Sequence, residues 1–175
     1  MPPEVIGGYG DLPEDIRVAL AGTFTCEMAT VNRAGDAIAW PAVPYVDPAD
    51  GHILCAVSIA YPVKAYNARR HPQVSLLFSD PTGSGLAGAP AVLVQGTATV
   101  GEVLDYSPDV IGLFRTVARR QPDSARFTSN RLVRQLFTWY LFQRIAIRVT
   151  PERFTAWPGG DFSAAPRVFE VRRGA

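Results

Sequence analysis

Lys64 is the only lysine in a chain of 175 residues; the other 16 of the 17 basic side chains are arginines. It stands inside Ile53–Phe78, which reads as an apolar run (ILCAVS), a short loop, a basic amphipathic segment (VKAYNARR) and a second apolar run (VSLLF). The one ammonium of the chain is thus set where a strand gives way to a helix. The unpaired N–H groups and the dipole of a helix start favour negative charge. The chemistry this arrangement suits is the holding of an anion such as a phosphate.

Other chemistry finds little footing. Cys26 and Cys55 lie in separate apolar runs and read as two buried thiols. His52 and His71 sit in turn contexts at spacings that suit no zinc site, so no metal is expected. No Ser-His-Asp, Cys-His or paired-carboxylate arrangement stands out, and no catalytic side chain is assigned. Any reaction would fall to a cofactor that the protein binds and orients.

Composition narrows the field further. A chain that is 47% hydrophobic and 19% charged belongs with ordinary globular domains, and its length suits one domain spanning 1–175. A net charge of +1 provides no global field for nucleic acid or for a membrane surface. The N-terminal residues lack the basic and apolar regions of a signal peptide, and no apolar run is long enough to span a bilayer, so the expected setting is the cytoplasm.

The elements that would position these residues are mostly strands. Asp11-Leu12-Pro13-Glu14 predicts a helix start capped by Asp11, running to Gly22. Strands are expected at Phe24–Val31, Ala37–Val46, Ile53–Ser58, Val74–Ser79, Ala91–Val100 and Arg144–Val149. Glu152–Trp157 either continues the last or forms a seventh, and Arg167–Val171 alternates enough for one more short strand. Pro41 and Pro44 cannot donate to a ladder, which makes the second strand an edge, a bulged strand, or one that faces something other than a neighbouring strand. Helices are expected at Tyr61–Arg70, Pro108–Arg120 and Asn130–Phe142. The apolar arc of the last is wide enough to be buried between layers or against another subunit. This spacing of strands predicts a mainly β fold, a closed or nearly closed antiparallel barrel of about six to seven strands with a few flanking helices.

The order of these pieces resembles the pyridoxamine 5′-phosphate oxidase-like, FMN-binding split-barrel family. The resemblance runs from about Phe24 to Val100 and again from Arg144 to Phe169. It rests on a strand, a glycine turn, a proline-rich strand, a buried strand, a basic residue opening a helix, and then HPQVSLLF. It implies that this antiparallel barrel is split, with FMN held at a dimer interface and its phosphate met by an Arg-Lys pair. The lysine falls on Lys64, and the arginine position holds Val63. Contacts from the flanking strands fall on Trp40, Pro41 and Ala42 and on Val57 and Ser58; Trp40 stands where the oxidases have arginine. Near the C-terminus, Trp157 followed by Pro158-Gly159-Gly160 and then Arg167 reproduces a tryptophan–arginine spacing that contacts the flavin in those oxidases.

The resemblance also shows losses. Ser163 and Ala165 occupy the positions of the arginine and histidine that hold the oxidases' phosphorylated substrate, so pyridoxamine phosphate chemistry is not expected. What the resemblance implies instead is a flavin-dependent oxidoreductase, moving hydride between a small organic substrate or NAD(P)H and FMN. The deazaflavin F420 on the same fold is the alternative, kept open by the absent second phosphate base. A non-enzymatic flavin- or haem-binding module is the other.

Overall fold

The computed structural model describes residues 2–81, 83–103, 107–120 and 143–172. Nine strands and three helices follow in order: β1 (Glu4–Ile6), α1 (Glu14–Gly22), β2 (Cys26–Val31), β3 (Ala37–Ala42), β4 (Pro44–Val46), β5 (Ile53–Ser58), α2 (Val63–Arg70), β6 (Gln73–Phe78), β7 (Ala91–Val103), α3 (Pro108–Arg120), β8 (Arg144–Trp157) and β9 (Arg167–Val171). The predicted helix at Asn130–Phe142 lies outside the described residues. None of the described helices is long and apolar enough to cross a membrane.

The fold is mainly β, as the strand spacing predicts, and it is a split barrel that does not close. The strand order is β1-β9-β8-β7-β6-β2-β3, with β5 joined to the other side of β8 and β4 joined to β5. The long strand β8 is where the sheet forks. Its first half, Arg144–Val149, pairs with β5, and its second half, from Arg153 to Ala156, pairs with β9, while β7 runs along the opposite edge of both. The fork needs a bend, and Thr150-Pro151 supplies it opposite a register shift between Gln95 and Gly96. Only glycine fits at Gly96, since a Cβ there would stand 2.2 Å from the Thr150 carbonyl oxygen.

Three sequence expectations are corrected. The sheet has nine strands rather than six or seven, and it is mixed, because β1 pairs parallel to β9. The proline-rich stretch is two strands with different partners: β3 pairs with β2 (Ala42 opposite Cys26), and β4 pairs with β5 (Pro44 opposite Cys55). The sequence places an edge here correctly, since β3 pairs with β2 alone. Finally, Asp11 does not cap α1. It lies in a short turn of 3-10 helix and accepts the Gly7 N–H at 2.7 Å, and α1 starts after Pro13 with no side-chain cap.

The main core fills the barrel with Ile16, Leu20, Met28, Ile53, Leu76, Phe78, Val92, Val94, Ile147 and Phe154, all nearly inaccessible to solvent. A second apolar cluster lies on the outer face of β5 and β8, where Leu54 and Ala146 meet Val110 and Leu113 of α3. Strand β5 therefore has both faces covered, which accounts for its unbroken apolar sequence. α2 is tied to β2 by a buried hydrogen bond from the Asn67 side-chain amide to Thr30 Oγ1 at 3.2 Å.

Candidate functional site

The change of partner at Val43 opens the molecule. Up to Ala42 the chain follows β2, and from Pro44 it follows β5, so the two ladders diverge around one residue. Pro41 has no N–H with which to extend a ladder across the gap. The carbonyl of Pro41 instead accepts a hydrogen bond from Lys64 Nζ at 2.7 Å.

A chamber of about 270 Å³ lies in this gap. It is lined by Pro41 and Ala42 of β3, Val57 and Ser58 of β5, Lys64 of α2, and Arg144 at the start of β8, with Thr25, Val43, Ala56 and Tyr61 completing the walls. Five of the nine residues singled out from sequence thus share one cavity. Lys64 reaches it because α2 begins right after the loop that leaves β5. That loop is fastened by Tyr61 N–H to Ser58 O (3.0 Å) and by Ala60 N–H to Ser58 Oγ (3.3 Å). No side chain caps α2, so the first N–H groups of the helix also lack capping partners. Burial lowers the Lys64 pKa from its ordinary value, and the neighbouring thiols of Cys55 and Cys26 act in the opposite sense. An anion in the chamber would favour the charged ammonium that burial disfavours.

Arg144 is the residue that sequence reasoning missed. It stands directly opposite Ser58 in the β5–β8 ladder and lines the same chamber. The chamber therefore has two cationic side chains, although Val63 occupies the position of the expected arginine. Val63 itself is half exposed and is not part of the lining. Ladder register, which pairs residues far apart in sequence, is the signal that would have found Arg144.

The other three predicted residues lie elsewhere. Trp40 is half exposed on β3, one residue from the lining. Trp157 packs on Phe162 with ring centroids 5.1 Å apart, and Arg167 forms an ion pair with Asp15 of α1. Both belong to the β8–β9 end and neither lines the chamber of its own chain. Cys26 and Cys55 are free, buried thiols, as expected. They touch each other, and the hydrogen bond with Cys55, together with burial, pushes the Cys26 thiol up, so Cys26 is not a poised nucleophile. Among the described residues no cluster of side chains could hold a metal ion.

A second chamber of about 360 Å³ adjoins the first and shares Thr25 and Val43 with it. Phe24 and Pro44 form its floor, Thr116 and Val117 of α3 its roof, and Gly83 one side.

No family model matches the sequence, and no curated protein is similar to it at a significant level. Solved structures do match. An F420 reductase superposes with a TM-score of 0.55 at 15% identity, covering 82% of this chain and 98% of the other. A putative pyridoxamine 5′-phosphate oxidase from Listeria innocua gives a TM-score of 0.54 at 15% identity, covering 82% and 95%. The fold is that of the pyridoxamine 5′-phosphate oxidase-like split barrels. A heme-binding protein from Mycobacterium smegmatis shares it as well, with a TM-score of 0.56 at 13% identity, covering 91% of this chain and 62% of that one. At such identities the split barrel is what the comparison establishes, and the ligand has to be argued from the chamber.

Proposed function

We propose that this split barrel is a flavin-dependent oxidoreductase whose chamber at Lys64 takes the phosphate end of FMN. The observation that carries the reading is the convergence of Lys64, Arg144 and the Ser58 hydroxyl on one cavity, beside an uncapped helix start. Two cations and a hydroxyl donor match the near-dianionic charge and several acceptor oxygens of a phosphate monoester. At about 270 Å³ the chamber is below the usual range for a whole drug-sized ligand, so it suits one end of such a cofactor. The deazaflavin reading gained its force from the missing second base, and Arg144 supplies one.

When bound, FMN supplies two-electron hydride chemistry. The residues of the chain bind and orient it: Lys64 and Arg144 by charge, Ser58 by its hydroxyl, and Pro41, Ala42 and Val57 as apolar wall. Neither histidine lines either chamber, which disfavours a haem held there through an imidazole.

Exposed apolar side chains lie in the lining of the chamber (Val43, Tyr61) or next to it in sequence (Trp40, Ile59, Val63). A second copy of the chain would cover these side chains, making a homodimer, and it could bring Trp157 and Arg167 to the partner's cofactor. Sedimentation velocity tests the dimer; a monomer at tens of micromolar would reject this arrangement.

Titration with FMN, followed by absorbance and flavin fluorescence, tests the cofactor. Lys64→Ala is expected to weaken FMN binding by about 1.5–3 kcal/mol at fixed salt, with Arg144→Ala having an effect of the same order. A chain that takes up F420 and not FMN would decide for the deazaflavin. Unchanged affinity in both variants would place the phosphate elsewhere.

A further inference from the structure

The second chamber differs from the first in kind. Among the described residues that line it, none carries a charge: Phe24, Val43, Pro44 and Val117 provide apolar surface, and Thr25 and Thr116 provide two hydroxyls. Its volume of about 360 Å³ falls within the range of small-molecule sites. Its walls come from four separate parts of the fold, namely the entry to β2, the β3–β4 corner, the β6–β7 loop at Gly83 and α3, and the last is fixed over the outer face of β5 and β8. It meets the cationic chamber through Thr25 and Val43, so a ligand in either would lie against a ligand in the other.

We infer that this apolar chamber is a small-molecule pocket, and that it selects an uncharged, largely apolar ligand with at most one or two polar groups. The preference follows from the lining and does not depend on which cofactor the cationic chamber takes. Burying an unpaired charge against Phe24, Val43 and Val117 would cost far more than one hydrogen bond to a threonine hydroxyl could offset. An uncharged ring or acyl group bears no such cost, and Thr25 or Thr116 can orient a single carbonyl or hydroxyl on it. The same argument separates this pocket from a site for a phosphorylated substrate, which would need a cation in the lining.

Three naphthalene probes of nearly equal size test it by equilibrium dialysis near pH 7, with phosphate present to fill the cationic chamber: 2-naphthol (neutral), 2-naphthalenesulfonate (anionic) and 2-naphthylmethylammonium (cationic). The neutral probe is expected to bind at least about tenfold more tightly than either charged one. Val117→Asp should lower 2-naphthol binding by about tenfold or more. Thr116→Asp, at the neighbouring lining position of α3, is expected to do the same if Val117→Asp proves too destabilising to purify. FMN affinity should stay within about twofold in the folded variants, because neither residue lines the cationic chamber. Lys64→Ala should give the converse result. A sulfonate or ammonium probe binding as well as 2-naphthol would overturn the inference, and so would 2-naphthol binding unchanged in both aspartate variants. Loss of FMN binding alone, with the probe preference intact, would count against the cofactor reading and leave the pocket standing.

Discussion

The two helices that bound these chambers are held to the barrel by different means. α2 packs inward with Ala65 and Ala68 in the core and Asn67 bonded to Thr30, so its polar side chains act within and beside the barrel. α3 lies on the outside, attached by the small apolar cluster of Leu54, Val110, Leu113 and Ala146. Its first turn is fixed by a compact polar network in which Arg148 Nε donates to Asp109 Oδ2 at 2.6 Å, and Arg148 Nη2 donates to Ser107 Oγ at 2.5 Å and to Asp109 Oδ1 at 3.1 Å. A helix integral to the core thus carries the cation, and a helix joined to the surface roofs the apolar pocket. On the proposed reading, the part of the site that would hold a cofactor is built into the fold, and the part that would take an apolar ligand can be altered with less effect on the barrel.

The strongest way to break that contrast is to cut the α3 network. Asp109→Ala removes one carboxylate partner of Arg148, which is about a quarter exposed, and should cost about 1–3 kcal/mol in urea unfolding. Binding of 2-naphthol should fall with it, while FMN binding by the folded protein should hold. If FMN affinity falls as far as probe affinity, the two helices do not act separately. The same pair gives a pH dependence. Hydrogen bonds from Arg148 and Ser107 hold the Asp109 carboxyl at about 2 against the upward push of partial burial. Because the folded value lies below the unfolded one of about 4, this stabilisation is fully present above about pH 4 and is lost as pH falls toward 2. Asp109→Asn should flatten the urea midpoint over that interval relative to the parent; an equally steep acid limb would assign it to other carboxylates.

Which parts of this arrangement are legible in the sequence follows from how local they are. The strand–loop–helix around Lys64 is contiguous, so its apolar runs and its proline stop announce these elements directly and set the single lysine at the helix start. The split at Val43 is half legible: the prolines show that the ladder cannot continue, but nothing local says that Pro44 goes on to pair with Cys55. Arg144 is hidden for the same reason, since only the β5–β8 register sets it opposite Ser58. β1 is three residues long, too short for any periodicity, and its parallel pairing with β9 joins the two ends of the chain. Val63 teaches the opposite lesson. A position carried over by resemblance is an exposed side chain outside the chamber lining, while Arg144, from another strand, is part of that lining.

A smaller effect is expected on the α2 side. Asn67→Ala removes the amide that meets the buried Thr30 hydroxyl, leaving that hydroxyl unsatisfied, and should cost about 1–2 kcal/mol. Since α2 carries Lys64, FMN binding should weaken measurably, and 2-naphthol binding should not. Asn67→Ala combined with Thr30→Val, which removes both polar partners, should recover part of the stability. No recovery in the double variant would mean that the loss came from packing rather than from the stranded hydroxyl.

The smallest effect sharpens the comparison most. Gly112 lies in the middle of α3, where glycine is about 1 kcal/mol worse than alanine for helix formation. A Cβ there would come within 2.9 Å of the Tyr45 ring tip and hydroxyl, the far end of a side chain that can swing aside. The propensity gain and the cost of moving Tyr45 are of similar size, so Gly112→Ala should change stability by less than about 0.5 kcal/mol. Its effect on the pocket should be larger than its effect on the fold, because Tyr45 adjoins Pro44 at the chamber floor and Gly112 precedes Thr116 by one helical turn. A shift in 2-naphthol affinity with an unmoved urea midpoint is therefore the expected pair of readings. It would show that the roof of the apolar chamber tunes ligand preference independently of barrel stability. A large destabilisation would instead show Tyr45 locked in place, and α3 as firmly integrated as α2.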